Sequence, residues 1–102
     1  MQITIQSVPD LGLLVRSVRR TSKIRLDDLA ATAGVSKQFA SDVEHGKPTV
    51  QLGLVLKLLS ELGVLLTLDI PEDAQKEMAN QRSKGVRPHA KRKYATISQL
   101  KK

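Results

Sequence analysis

Residues 26–46 read LDDLAATAGVSKQFASDVEHG, and this stretch decides the fold. Two short helices fit it: one ends at Gly34, and the next runs from Lys37 to about His45 with Ser36 as its N-cap. Gly34 suits the left-handed backbone that closes a helix. Inward-facing small or apolar side chains should fix the angle between the helices; they are Leu29, Ala30, Ala33, Val35, Ala40 and Val43. The pattern predicts a helix-turn-helix, whose second helix can enter the major groove of DNA.

The first turn of that second helix carries side chains suited to reading bases. Lys37 can donate to guanine O6 and N7, and Gln38 can make paired hydrogen bonds to adenine N6 and N7. Ser41, one turn later, can reach a base or a phosphate. Phe39 either contacts a thymine methyl group or packs against the first helix of the chain, whereas Asp42 should face solvent or a basic neighbour. We therefore take Lys37, Gln38, Ser41 and Phe39 as candidate base-reading residues.

Cations and helix starts that flank the reading helix are candidates for phosphate contacts. The candidate phosphate-binding residues are Ser36, Arg20, Lys23, Arg25, Lys47 and Thr49. Taken singly, each of the cations is more simply an ordinary surface residue. His45 lies where a helix C-terminus favours a cation, so a capping role is its better interpretation.

Two further helices are predicted around this motif. One should open at Pro9-Asp10; its apolar face carries Leu11, Leu14, Val15 and Val18, and Arg16, Arg19 and Arg20 take the opposite side. The other should run over residues 50–62, capped by Thr49 and closed by Gly63. It is apolar on more than one face, and such a helix needs more than one packing partner.

Two stretches, residues 2–6 and residues 64–70, have apolar side chains at every second position, which is the period of a strand. Two strands alone are barely stable in water, so pairing across a dimer two-fold axis would help both. The predicted fold class is therefore mostly α, a four-helix helix-turn-helix domain with short N- and C-terminal β-strands that form an intersubunit sheet. Whether the N-terminal strand pairs within or between subunits stays open. The candidate dimer-interface residues are Val64, Leu66, Leu68, Ile70 and Leu59.

Positive charge is concentrated at the end of the 102-residue chain, whose net charge is +7. Residues 1–71 have eight Lys/Arg and seven Asp/Glu, whereas residues 72–102 have nine and three. We predict a DNA-binding and dimerisation domain over residues 1–71 and a basic flexible tail over residues 72–102, with a short helix around residues 74–81. The tail is either a solvated segment, a DNA arm or a ligand for a partner protein. The basic residues of a DNA arm would be Arg87, Lys91, Arg92 and Lys93, and the apolar anchors of a ligand segment would be Tyr94, Ile97 and Leu100.

Catalytic and metal-binding patterns are missing from the sequence. There is no cysteine, the two histidines are far apart, and no glycine-rich phosphate loop is present. We therefore expect no enzyme activity, no metal and no cofactor. No apolar run approaches the roughly 20 residues that span a bilayer, and the start of the chain lacks the features of a signal peptide. A cytoplasmic protein is the expectation.

The motif resembles the lambda-repressor-like, or XRE-type, helix-turn-helix. The residues that carry this resemblance are Leu29, Ala30, Gly34, Val35, Ser36, Lys37, Gln38, Ser41, Val43, Glu44, His45, Gly46, Lys47 and Pro48. The continuation through Gly53, with Val55-Leu56, Leu62-Gly63 and a terminal strand, is similar more narrowly to HipB-type antitoxins. Leu26 departs from the superfamily, which often has a phosphate-contacting Gln there, and the basic tail is a second departure.

The resemblance implies a dimer that binds palindromic operators in its own promoter and represses transcription. It also implies a HipA-like serine/threonine kinase toxin as partner, and hence an antitoxin of a type II toxin-antitoxin operon. Two alternatives are a protein-interaction module that mainly binds a kinase toxin through its tail, and a stand-alone regulator unconnected to a toxin.

Overall fold

The computed structural model describes residues 1–85, which contain five helices. They are α1 (Val8–Thr21), α2 (Leu26–Ala33), α3 (Lys37–Glu44), α4 (Leu52–Glu61) and α5 (Glu72–Ser83). The described residues divide into two units, residues 1–67 with α1 to α4 and residues 68–85 with α5. None of the helices in residues 1–85 is long and apolar enough to cross a membrane.

Local capping chemistry explains the starts of α1 and α3 and the end of α2. Ser7 caps α1, because its Oγ accepts from the Asp10 N–H at 3.2 Å. Gly34 closes α2 with φ 74°, in the left-handed region that favours glycine. Ser36 caps α3 by accepting from the Phe39 N–H at 3.0 Å. The predicted helix-turn-helix boundaries are therefore confirmed.

The fourth helix begins later than predicted. Gln51, not Thr49, is the N-cap of α4, and the Val55 N–H donates to the Gln51 carbonyl at 3.1 Å. Pro48 and Thr49 instead form a turn after α3. Val50 then packs against the core from a non-helical position, and this packing outweighs the capping preference of Thr49.

Nine aliphatic side chains form the core of residues 1–67. They are Val15, Leu29, Ala30, Ala33, Ala40, Val43, Val55, Leu58 and Leu59, each at most 4% exposed. Full burial of a Val or Leu side chain stabilises the fold by about 1.5–3 kcal/mol. Of the six predicted inward positions, five are buried and Val35 packs partly buried against them. Because α2 and α3 supply five of the nine, the motif is held rigidly by its own core.

Helices α1 and α3 approach each other closely at Gly12. A Cβ built on Gly12 would lie 2.8 Å from the Glu44 carbonyl oxygen and closer still to that of Val43. Arg19 lies about two turns after Gly12 on α1. The prediction that it lies on the solvent side of the helix is wrong. Its guanidinium donates to both Glu44 carboxylate oxygens and to the Ile24 carbonyl, and its side chain is 12% exposed. The helical pattern of α1 could not reveal a partner 25 residues away.

Residues 1–85 contain no strand, so the two terminal strands remain predictions. A strand needs a hydrogen-bonding neighbour, and within residues 1–85 neither stretch has one. The second stretch nevertheless has exposed apolar side chains: Leu65 is 87% exposed, Leu66 50%, Leu68 75% and Ile70 46%. By contrast, Leu59, a candidate for the dimer interface, is 3% exposed and belongs to the core, which leaves it little surface for a second chain.

The helix predicted around residues 74–81 is present and is longer, spanning Glu72–Ser83. It is mostly polar, and none of its residues is buried. Glu72 and Asp73 lie in its first turn and Arg82 in its last, as the helix dipole favours. Residues 86–102, which include the tail candidates Arg87, Lys91, Arg92 and Lys93, lie outside the described residues.

Candidate nucleic-acid interface

The start of α3 faces outward from the core. Ser36, Lys37 and Gln38 are exposed, and Ser41 is half-buried. This arrangement follows from the opposite face of the helix, where Ala40 is fully buried and Val43 is 3% exposed. The predicted reading face is therefore accessible to a large partner.

Lys37 is paired across the turn of the motif. Its Nζ lies 3.0 Å from Oδ1 of Asp27, in the first turn of α2. The second oxygen of Asp27 lies 3.6 Å from Nη2 of Arg25, a candidate phosphate contact. Asp27 therefore contacts two candidate DNA-binding cations, Arg25 just before α2 and Lys37 at the start of α3.

The pKa of Asp27 is lowered, first by the hydrogen bond from Lys37 and second by the charge of that ammonium. Asp27 also lies in the first turn of α2, where a carboxylate complements the helix dipole. Its role as a partner of Lys37 could be found only once the angle between the two helices was known.

Gln38 is held along α3 rather than across the turn. Its Nε2 donates to Oδ1 of Asp42 at 2.8 Å, one helical turn later. Oδ2 of Asp42 lies 3.6 Å from Nζ of Lys47, so Asp42 has the basic neighbour that the sequence predicted. This hydrogen bond restrains the Gln38 amide and leaves its oxygen and one N–H without a partner in residues 1–85.

Ser41 and His45 interact at the end of α3. Nδ1 of His45 lies 2.8 Å from the Ser41 carbonyl oxygen and 3.3 Å from Ser41 Oγ. His45 is the C-cap residue of the helix, in agreement with the capping role expected from its position. Ser41 therefore has a neighbour that orients it, and it stays at the edge of the exposed face.

Phe39 is partly buried and packs against the core. Of the two interpretations of Phe39, the structure favours packing over contact with a thymine methyl group. Its neighbours Lys37 and Gln38 point outward, because successive residues of a helix lie on different faces.

The six candidate phosphate contacts are all exposed: Ser36, Arg20, Lys23, Arg25, Lys47 and Thr49. Lys23 lies in the α1–α2 connection with φ 58°, and its N–H donates to the Arg20 carbonyl at 3.0 Å. These residues come from the last turn of α1, the α1–α2 connection, the turn before α3 and the segment after α3. Within residues 1–85 there is no group of three His, Asp or Glu side chains that could hold a metal ion.

Two short helices crossing over a small-residue core, with an exposed and polar first turn on the second, define a helix-turn-helix DNA-binding protein. An uncharacterised helix-turn-helix transcriptional regulator of Sinorhizobium fredii, y4mF, is 43% identical over 72 residues, which are 71% of this chain and 95% of that protein. The chain belongs to this family of helix-turn-helix transcriptional regulators. No family model matches the sequence.

Solved structures of HipB share the fold. One is a complex of a HipB variant with an O2 20mer; it covers 71% of this chain and 100% of its own, with a TM-score of 0.64 and 22% identity. A HipB–O4 20mer complex and a HipA–HipB–O2–O3 complex each cover 70% of this chain, with the same TM-score and identity. These matches confirm the resemblance to XRE-type, HipB-like proteins at the level of the fold.

Proposed function

We propose that this protein is a dimeric repressor that binds palindromic operator DNA, acting as the antitoxin and autoregulator of a HipBA-like operon. The observation that carries the DNA-binding part is the outward-facing first turn of α3, with Lys37 and Gln38 exposed side by side. A helix-turn-helix inserts this turn into the major groove. Lys37 reads guanine and Gln38 reads adenine, while the flanking cations and helix starts contact phosphates.

Dimerisation is supported by the apolar side chains left exposed after α4. Leu66, Leu68 and Ile70 lie on one face of residues 64–70 if that segment is extended, and they are 50%, 75% and 46% exposed. Pairing with the same segment of a second copy buries this face and supplies the missing backbone hydrogen bonds. A dimer also places two copies of α3 on one side of DNA, as a palindrome requires.

A HipA-like serine/threonine kinase toxin is the proposed protein partner. The support is the fold shared with HipB, which occurs in a complex with HipA. The segment from Glu72 onward is the candidate contact, because α5 is a separate helix with no buried residue. The two other possibilities are that binding a kinase is the main function and that no toxin is involved.

The decisive experiment compares operator binding by the wild type and by a Lys37→Ala/Gln38→Ala variant. The probe is the duplex that the wild type enriches most from a randomised library, against a scrambled duplex of equal length. Each bidentate base contact contributes about 1–3 kcal/mol of discrimination, so the double variant should lose about tenfold or more in the affinity ratio. A Gln75→Ala/Lys76→Ala variant removes the same residue types from α5 and serves as the matched control.

Equal affinity of the wild type for both duplexes would end the claim of sequence-specific binding.

For the partner, the product of the adjacent reading frame is co-purified with the full chain and with a truncation after Pro71. Undiminished binding by the truncation would remove the tail from that role. For a DNA arm, deletion of residues 84–102 should reduce the log–log salt slope by about 0.9 per lost phosphate contact.

A further inference from the structure

The ion pair between Asp27 and Lys37 raises a question that the proposed function leaves open. DNA-binding proteins lose affinity when a carboxylate stands beside a DNA-facing cation, because non-specific binding depends on neutralised phosphates. Asp27 nevertheless lies 3.0 Å from the Lys37 ammonium and 3.6 Å from Arg25, on the exposed side of the motif. Its side chain is 49% exposed, so the carboxylate is part of the surface that would meet DNA.

We propose that Asp27 is a positioning residue that directs the Lys37 ammonium to base edges rather than phosphates and thereby raises the preference for operator over random DNA. This inference rests on the proposed function. It adds Asp27 to the residues that determine specificity, although Asp27 itself need not touch a base.

The chemistry of the ammonium group allows both contacts at once. A lysine Nζ has three N–H donors, and one hydrogen bond to Asp27 Oδ1 leaves two for guanine O6 and N7. The lysine stem has four rotatable bonds and loses about 2 kcal/mol of rotamer entropy when it is fixed. A carboxylate that already holds the ammonium reduces the part of this cost that remains at binding.

The same carboxylate weakens non-specific binding. Random DNA binds this face mainly through phosphates, and Asp27 partly cancels the charge of both Lys37 and Arg25 there. Operator DNA places the matching guanine acceptors opposite Lys37, so the held ammonium gains base contacts that a random sequence rarely provides. The two effects act in opposite directions on the two kinds of DNA, and both increase the ratio of affinities.

Asp28 provides a matched control. It neighbours Asp27 in the first turn of α2, is also exposed, and forms no ion pair with any of residues 1–85. Asp27→Asn and Asp28→Asn therefore remove the same charge at the same helix start. Any difference between the two variants reports the contacts of Asp27 with Lys37 and Arg25 rather than net charge or the helix dipole, and repeating Asp27→Asn in a Lys37→Gln background isolates the Lys37 contact.

The test measures the affinity of the full chain for the library-selected duplex and the scrambled duplex across a salt series. For Asp28→Asn, both affinities should rise together and leave the ratio unchanged. Asp27→Asn should lower the ratio by about three- to fivefold, within the range that coupling of exposed ion pairs reaches. Asp27→Glu, which keeps a carboxylate within reach of Lys37, should recover most of the wild-type ratio.

A Lys37→Gln background completes the design, because Asp27→Asn should there have no further effect on the ratio. If the wild type discriminates between the duplexes but Asp27→Asn and Asp28→Asn change the ratio equally, the positioning role is overturned and the proposed function stands. If the wild type does not discriminate at all, the proposed function falls and the inference falls with it.

Discussion

The Arg19 guanidinium lies against the Glu44 carboxylate, with Nη2 3.0 Å from Oε1 and Nε in contact with Oε2. This two-point contact connects α1 to the last residue of α3, the helix proposed to enter DNA. The Glu44 side chain is 4% exposed and that of Arg19 12%. The hydrogen bond to Glu44 raises the pKa of Arg19, so the charged form of the arginine is favoured further. The pair therefore fixes the far end of the reading helix to the body of the domain.

Removing one partner of this pair should destabilise the fold strongly. Glu44→Ala leaves a nearly buried guanidinium without its carboxylate, and such a loss typically costs about 3–5 kcal/mol. Urea unfolding of the variant and of the wild type measures the difference. Lys47→Gln breaks the exposed Lys47–Asp42 pair as a control, with an expected cost below about 1 kcal/mol. Equal effects of the two substitutions would show that the buried pair is not a structural link.

Gly12 should be intolerant of the smallest side chain. In Gly12→Ala the new Cβ meets the carbonyl oxygens of Val43 and Glu44, which are backbone atoms and cannot rotate away. We expect a loss of about 1–3 kcal/mol, typical of overpacking. Gly53→Ala in α4 is the matched control, because no atom lies within 4 Å of its new Cβ. Because Gly53 lies in the first turn of α4, that change should stabilise the helix by at most about 0.5 kcal/mol, so the two variants should shift the thermal midpoint in opposite directions.

The sequence was sufficient to predict what depends on local chemistry. Ser36 and Gly34 mark the ends of α3 and α2 by capping and backbone conformation, and the apolar spacing identified the inward side chains. Contacts between distant residues were out of reach: helical periodicity placed Arg19 on the polar side, and only the α1–α3 crossing brings Glu44 to it. The later start of α4 was missed for a related reason, since the packing of Val50 is a tertiary effect.

On the exposed face of α3, too, the sequence predicted what depends on local chemistry and missed a contact between distant residues. Lys37 and Gln38 were identified because side chains early in a reading helix face the groove, and both are exposed. Their carboxylate partners differ in whether they are close in sequence. Asp42 is four residues from Gln38 on the same helix, whereas Asp27 approaches Lys37 across the turn between two helices. The terminal strands could not be tested in the same way, because a strand proposed to pair between subunits needs the second copy.

The Asp27 carboxyl should titrate in a way that depends on Lys37. Its pKa is lowered in the folded protein, chiefly by the hydrogen bond from Lys37. Because the folded pKa lies below the unfolded one, the contact contributes stability above the unfolded pKa and loses it as pH falls through the folded pKa. Carboxyl NMR titration of the wild type and of Lys37→Gln measures this directly. The Asp27 pKa should rise in the variant; an unchanged value would mean that the two groups do not interact in solution.

Asp42 should influence which base Gln38 prefers. The hydrogen bond from Nε2 to Asp42 leaves the Gln38 oxygen and one N–H free, the pair that adenine N6 and N7 require. In Asp42→Ala the amide can rotate, so preference for adenine at the contacted position should fall by about two- to fivefold. Selection from a duplex library randomised at single positions measures this preference. A Glu77→Ala variant removes the equivalent partner of Gln81 in α5 and should leave every position unchanged; a uniform loss of affinity in Asp42→Ala would instead indicate a general effect on α3.

Substitutions on the two faces of residues 64–70 should show whether this segment holds the dimer together. In an extended segment Leu66 and Leu68 share one face and Leu65 lies on the other. Leu66→Asp/Leu68→Asp places two like charges in the proposed intersubunit contact, so the variant should become monomeric and lose operator affinity, while helical content is kept because both side chains are exposed. Leu65→Asp tests the opposite face at a position that is 87% exposed, and it should leave the dimer intact.

Light scattering gives the mass of each variant, and circular dichroism confirms that each is folded. A stable dimer of the double variant would rule out this face as the interface, and dissociation by Leu65→Asp alone would show that the segment does not pair as an extended strand of the predicted register.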